Sequence, residues 1–137
     1  MTQPLLLDTC TCLWVMADEL AQNAEQALTD AFHGGRAVFV SPITALEIAI
    51  MARKRRLRSP LDPHRWFATL VGQPGIALAS MPSEVLIASQ QLPDFPNNDP
   101  YDRIIAATAR EYGFTVMTRD AALLDYGAQG YLSVFAC

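Results

Sequence analysis

"LLLDTCTCLW", residues 5–14, sets a single carboxylate directly after three leucines. An apolar triplet of this kind reads as a short buried strand, and the residues after it suit a helix. Asp8 therefore stands where a strand ends and a helix begins near Thr9. An aspartate at such a junction caps the helix by accepting from its first free N–H groups. Whether Asp8 does more than cap depends on whether other isolated acids occupy comparable places.

Similar β-type runs recur along the chain: AVFV (37–40), IALAS (76–80), FTVMT (114–118) and YLSVF (131–135). Between them lie segments of helical character. ELAQNAEQALTDAF (19–32) is amphipathic, and PITALEIAIMARKRR (42–56) follows Ser41 with proline at the first helical position. PHRWFATLVG (63–72), PSEVLIASQQL (82–92) and PYDRIIAATAREYG (100–113) also begin with proline, and residues 93–99 form a loop. Alternating strands and helices predict an α/β fold, with a central, mostly parallel β-sheet flanked by helices. The strands are continuous apolar runs, as expected when both faces are covered. At 137 residues, with no linker or repeat, the chain is expected to be one domain over 1–137.

Composition narrows the function classes. With 51% hydrophobic and 18% charged residues, the chain is far from the disordered class. A net charge of −4 does not mark a nucleic-acid binder. That balance hides a basic block, RKRRLR, in which Arg53, Lys54, Arg55, Arg56 and Arg58 are half of the ten basic residues. Such a block can hold phosphates whatever the net charge. Its structural alternative is a solvated helix end, where cations complement the dipole. Cys10, Cys12 and Cys137 are an odd set unsuited to a disulfide framework, and are read as reduced, small apolar residues. Asp8 interrupts the N-terminal apolar stretch and no basic segment precedes it, so neither a signal peptide nor a membrane span is expected. The expected location is the cytoplasm.

The acids carry the chemistry. Asp120, in MTRD, follows the 114–118 run as Asp8 follows 5–7, and it too reads as a helix cap. Glu47 shares a helical stripe with Ile43, Leu46 and Ile50 and is the only charge from Pro42 to Ala52. An unpaired carboxylate there costs several kcal/mol or shifts its pKa upward. Either a buried arginine pair or a polar or metal site would relieve it. Asp99, Pro100 and Asp102 have the pattern of a helix start, which accounts for Asp99 better than for Asp102, since Asp102 precedes the apolar IIAATA. If Asp8, Glu47, Asp102 and Asp120 converge, each close pair repels by roughly 4 kcal/mol at about 4 Å and an effective dielectric near 20. A hard divalent cation, Mg²⁺ or Mn²⁺, would relieve the repulsion and could activate water for phosphoryl chemistry. His33 and His64 lack a partner at any informative spacing and read as surface or cap residues.

The ordered series LLLDTCTCLWVM, VSPITALEIAI, LPDFPNNDPYDRIIAATAREYGFTVMTRD and LLDYG resembles the PIN-domain toxins of the VapC type. It is most similar to the branch reading DTHxLLWW, SxxSxWEIAIK, HRDPFDRLLIAQA and TRD. The resemblance implies a metal-dependent endoribonuclease that serves as the toxin of a type II toxin–antitoxin pair, acts on RNA, is blocked by a cognate antitoxin and forms a homodimer. It implies that Asp8, Glu47, Asp102 and Asp120 are the catalytic, metal-binding acids, with Asp99, Thr9 and Thr118 in support. Arg53, Lys54, Arg55 and Arg56 are candidates for RNA or for an acidic antitoxin segment. Arg103 and Arg119, beside two of the acids, are candidates for phosphate contact or charge balance. Leu13, Trp14 and Met16 could offer an apolar surface to a second copy or to the antitoxin. Cys10 and Cys12, Leu46 and Asn98 depart from the branch's pattern without removing an acid.

Two rival classes compete. A phosphotransfer protein, either a receiver domain or a haloacid-dehalogenase-type phosphatase, also places an aspartate after its first strand. The phosphatase needs a second aspartate where Cys10 stands, and the receiver needs a late lysine, whereas the only lysine is Lys54. A catalytically silent binding module would tolerate loss of Asp8.

Overall fold

A computed structural model describes residues 3–137. In chain order the elements are β1 (Leu5–Leu7), α1 (Thr9–Ala17), α2 (Gln22–His33), β2 (Val38–Val40), α3 (Pro42–Arg53), α4 (Pro63–Val71), β3 (Ile76–Leu78), α5 (Ser83–Ser89), α6 (Pro100–Tyr112), β4 (Thr115–Thr118), α7 (Ala121–Ala128) and β5 (Ser133–Ala136). The five strands form one sheet in the order β3-β2-β1-β4-β5. Every pairing is parallel, with Leu6 opposite Phe39 on one side and Val116 on the other.

β1 lies at the centre, and its three leucines are fully buried. Alternation along the strand sends them to opposite faces. Leu6 joins Val116, Ile105, Ala106 and Tyr126 under α6 and α7, whereas Leu5 and Leu7 join Val40, Ile48, Met117 and Trp66 under α3 and α4. The expectation of strands covered on both faces holds for β1 and β4. It fails for the edges: Leu78 of β3 is exposed, and β5 is at most half-buried.

Local chemistry explains the helix boundaries. Asp8, Ser41, Asp62, Asp99 and Asp120 each accept from a first-turn N–H, and α3, α4 and α6 carry proline in that turn. α6 stops at Gly113, whose φ of 71° is left-handed, and the chain turns directly into β4. α3 ends at Arg53 rather than continuing to Arg56. Arg55 takes φ 57°, and Arg56 N–H closes onto the Met51 carbonyl, so the chain reverses inside the basic block. α2 starts at Gln22 and α5 ends at Ser89, both shorter than the helical runs that announced them. No described helix is long and apolar enough to cross a membrane.

Candidate active site

β1 and β4 are neighbours from which the strand order runs in opposite directions, so their carboxyl ends flank a topological switch point. In open parallel sheets, ligands bind in the crevice at such a point. Asp8 and Asp120 stand on its two sides. Asp8 is 6% exposed and serves two partners: Oδ1 accepts from Thr11 N–H at 2.9 Å, and Oδ2 accepts from the Thr118 hydroxyl. Thr118 Oγ1 in turn accepts from Asp120 N–H at 2.9 Å. Asp120 Oδ2 accepts from Leu123 N–H, capping α7. A single buried hydroxyl thus links the two acidic turns. The cap reading of Asp8 and Asp120 is correct as far as it goes, and capping leaves both acids at the crevice.

Glu47 reaches the same end of the sheet from α3. It is half-buried, and the Thr9 hydroxyl donates to its Oε1. Thr9 also bonds Thr44, fully buried one helical turn before Glu47. No arginine relieves this charge, since the only salt bridge among the described residues joins Arg65 to Asp62. Burial pushes the Glu47 carboxyl up, with further upward pressure from Asp99 and Asp8, while the Thr9 bond acts the other way. Leu46 is exposed, so the apolar stripe expected around Glu47 closes only on the Ile43 side.

Asp99 caps α6 by accepting from Tyr101 and Asp102 N–H, and its side chain faces solvent. Asp102, one turn further in, is partly buried. Its carboxyl is pushed up to about 7, first by burial, then by the neighbouring charges of Asp120 and Asp99 and more weakly by Glu47. The nearby Asn97 side chain opposes the rise.

One side chain senses all four acids together. The Cys10 thiol, exposed on α1 rather than buried as expected, is pushed up to about 11 by desolvation and by Asp8, Glu47, Asp120 and Asp102. Cys12 is fully buried as a small apolar residue, and all three cysteines are free thiols. The acids thus share one end of the sheet, but they are not drawn into a closed shell. Among the described residues, no three acid, histidine or cysteine side chains gather tightly enough to enclose an ion. Capping holds Asp8 and Asp120 on their own helices, and like charges resist closer approach. The donors are all carboxylate or hydroxyl oxygens, and the carboxyls of Glu47 and Asp102 are pushed up from their ordinary range by burial and neighbouring acids. That chemistry suits a hard divalent cation.

The sequence profile of the PIN domain matches residues 5–129. The chain belongs to the PIN-domain family. It is 27% identical over 122 residues to Ribonuclease VapC22 of Mycobacterium tuberculosis (strain ATCC 25618 / H37Rv), covering 89% of this chain and 91% of that protein. Two similar structures are VapBC2 from Rickettsia felis bound to a promoter DNA fragment and DNA-bound VapBC from Salmonella typhimurium. The first gives a TM-score of 0.71 at 12% identity over 96% of this chain and 97% of that one. The second gives 0.63 at 21% identity over 98% of each chain. At these identities the structural likeness establishes the fold. The strand order of this PIN domain, 3-2-1-4-5, also differs from the 2-1-3-4-5 order of receiver domains.

The six basic residues that were candidates for RNA or phosphate contact fall into two groups. Arg53, Lys54, Arg55 and Arg56 are exposed around the turn that ends α3. Arg103 and Arg119 are engaged within the protein. Arg103 donates from Nε to the Ser89 carbonyl and from Nη1 to the Asn97 carbonyl, each at 2.8 Å. Arg119 lies 3.9 Å from the Trp14 ring centroid and donates from Nε to the Cys137 carbonyl. Trp14, Leu13 and Met16 line a groove of about 630 Å³ with Met51, Leu61 and Trp66, and Arg56 and Arg58 also border it. His33 and His64 are exposed, as expected. Sequence reasoning missed Thr44 and Asn97. Thr44 lies three residues before Glu47, a spacing that puts both on one helix face; Asn97 had no local signal beyond its nearness to Asp99.

Proposed function

We propose that this PIN domain is a metal-dependent endoribonuclease acting in the cytoplasm as the toxin of a type II toxin–antitoxin pair. The observation that carries this reading is the set of four acids at the β1–β4 switch point, two of them with carboxyls pushed up and none paired with an arginine. The family membership and the likeness to Ribonuclease VapC22 support the same reading. Asp8, Asp102, Asp120 and Glu47 would hold Mg²⁺ or Mn²⁺. A bound divalent ion supplies Lewis acidity and lowers the pKa of water at such sites. The reaction is attack of water on an RNA phosphodiester, leaving 5′-phosphate and 3′-hydroxyl ends.

The chain's own groups prepare that chemistry. Thr118 orients Asp8 and ties it to the Asp120 turn, and Thr9 orients Glu47. Asp99 starts α6 and so sets the register that points Asp102 inward. Arg53, Lys54, Arg55 and Arg56 would meet the RNA backbone, where positive charge acts through counterion release. The groove beside Trp14 and Trp66 would receive the cognate antitoxin, its apolar side chains on the tryptophans and its acidic ones near Arg56 and Arg58. Exposed Leu46, Leu78, Leu86 and Ile87 supply apolar surface for the homodimer. The test is cleavage of RNA by purified protein with Mn²⁺, with EDTA, and after Asp8→Asn. Cleavage that survives EDTA would defeat this reading.

A further inference from the structure

Arg119 stands in the turn that borders the crevice: Thr118 before it donates to Asp8, and Asp120 after it caps α7. Its side chain is exposed yet held at two points. The guanidinium lies 3.9 Å from the centroid of the Trp14 ring, well within the range of a cation–π contact. Its Nε donates to the Cys137 carbonyl at 2.9 Å. That acceptor is fixed by the sheet, since Cys137 N–H donates to the Thr118 carbonyl at 3.1 Å directly after β5 pairs with β4. Trp14 is partly buried in the second turn of α1, the helix that Asp8 caps.

This way of holding the arginine leaves its binding edge open. Stacking uses the flat face of a guanidinium, and hydrogen bonds use its rim. Cys137 takes the Nε side of that rim, and no acceptor among the described residues takes Nη1 or Nη2. No carboxylate pairs with Arg119 either, because the only salt bridge among those residues joins Arg65 to Asp62. Arg103, the other arginine beside an acid, differs in giving both Nε and Nη1 to carbonyls. RNA is a polyanion, and this end of the sheet meets it with acids. A fixed cation there, with its outer fork open, offers a phosphate two parallel N–H donors. Because the fork is already immobilised, less freedom is lost when the phosphate arrives.

We propose that Arg119 grips an RNA phosphate beside the cleavage site, and that Trp14 is the positioning residue that holds its fork for that contact. The proposal rests on the ribonuclease reading. It gives the Trp14 ring a role beyond the groove that it also borders. The competing account makes Arg119 a structural clip between the β4–α7 turn and the end of β5, in which its outer nitrogens play no part.

Fluorescence anisotropy of a labelled single-stranded oligoribonucleotide, titrated with the full chain in EDTA, reads binding apart from cleavage. Arg119→Gln removes charge and fork from an exposed position. Its Kd should rise about tenfold, and the slope of log K against log salt should fall by about 0.7. Trp14→Leu leaves Arg119 intact and removes the ring face, so binding should weaken about three- to fivefold. Trp14→Phe keeps an aromatic face and should bind within about twofold of wild type. A structural clip would lower Tm in these variants without changing Kd or slope at a temperature where all are folded. Unchanged Kd and slope in Arg119→Gln, or equal losses in Trp14→Leu and Trp14→Phe, overturns the proposal. Should Trp14→Leu fail to fold, Arg119→Lys keeps the charge and loses the planar fork. A several-fold weaker Kd is then expected, and wild-type affinity overturns the proposal. The wild type judges the ribonuclease reading separately. If it binds and cleaves the RNA while Arg119→Gln binds equally well, this inference alone falls; if it neither binds nor cleaves, both fall.

Discussion

Asp102→Asn should stabilise the metal-free protein, and the gain should depend on pH in a direction set by the structure. Burial and the charges of Asp120, Asp99 and Glu47 raise the Asp102 carboxyl from 3.8 to about 7 in the folded protein. The folded state therefore holds this proton more tightly than the unfolded chain does. Stability from this group is fully present below pH 3.8 and is lost progressively as the pH rises to about 7. A rise of about three units corresponds to a ceiling of roughly 4 kcal/mol, at about 1.36 kcal/mol per unit. Solvent reaches part of the carboxylate, and screening reduces the figure to about 2 kcal/mol. For a domain of this length, that is a Tm difference of about 6 °C. Calorimetric melting in EDTA should place Asp102→Asn about 6 °C above wild type at pH 8 and within about 2 °C at pH 4.5. Excess Mg²⁺ should reduce or reverse the pH 8 gap, since a cation favours the ionised wild-type carboxylate. A variant that melts at or below wild type in EDTA at pH 8, or a gap of equal size at both pH values, would refute the account of Asp102 as a charge held under repulsion.

Asp8→Asn should behave differently, because Asp8 accepts both the Thr11 N–H and the Thr118 hydroxyl, and an asparagine amide cannot accept the second. Melting in EDTA should show a loss of about 1 kcal/mol rather than a gain, and RNA cleavage with Mn²⁺ should disappear; a more stable variant would contradict this geometry. Gly127→Ala places a methyl 2.4 Å from Val134 Cγ2, where α7 meets β5. Overpacking should cost about 1–3 kcal/mol, beyond the ~1 kcal/mol that alanine gains in a helix, and Val134→Ala on top should recover most of the loss in a denaturant titration. Replacing Arg53, Arg55 and Arg56 with glutamine should lower the slope of log K for single-stranded RNA against log salt by about 2, at roughly 0.7 per lost phosphate contact. An unchanged slope in filter binding would mark the block as a solvated helix end.

Much of this site was legible in the sequence because its signals are local. A lone acid after LLL or FTVMT contrasts with its neighbours, and Asp, Ser and Pro at helix starts act within one turn of chain, so Asp8, Asp99, Asp120 and the beginnings of α1, α3, α6 and α7 could be read directly. Glu47 could be read because nothing else from Pro42 to Ala52 is charged. The alternation of apolar strands and helices likewise carried the α/β class. Other features depend on atoms distant in the chain. The order β3-β2-β1-β4-β5 puts Asp8 beside Asp120, and a strand's own residues do not name its neighbours. Thr118 became the link between the two turns only once β4 paired with β1. Arg103 and Arg119 look the same in sequence as the exposed arginines of RKRRLR, yet backbone carbonyls at Ser89, Asn97 and Cys137 take up their donors. Cys10 and Leu46 were read as interior from composition and stripe, and packing left both exposed. Sequence determined which residues carry charge and where helices could start, because those are short-range matters of capping and propensity. Tertiary structure decided which charges face one another and which cations remain free to meet a ligand, because both depend on long-range packing and hydrogen bonds that no local stretch contains.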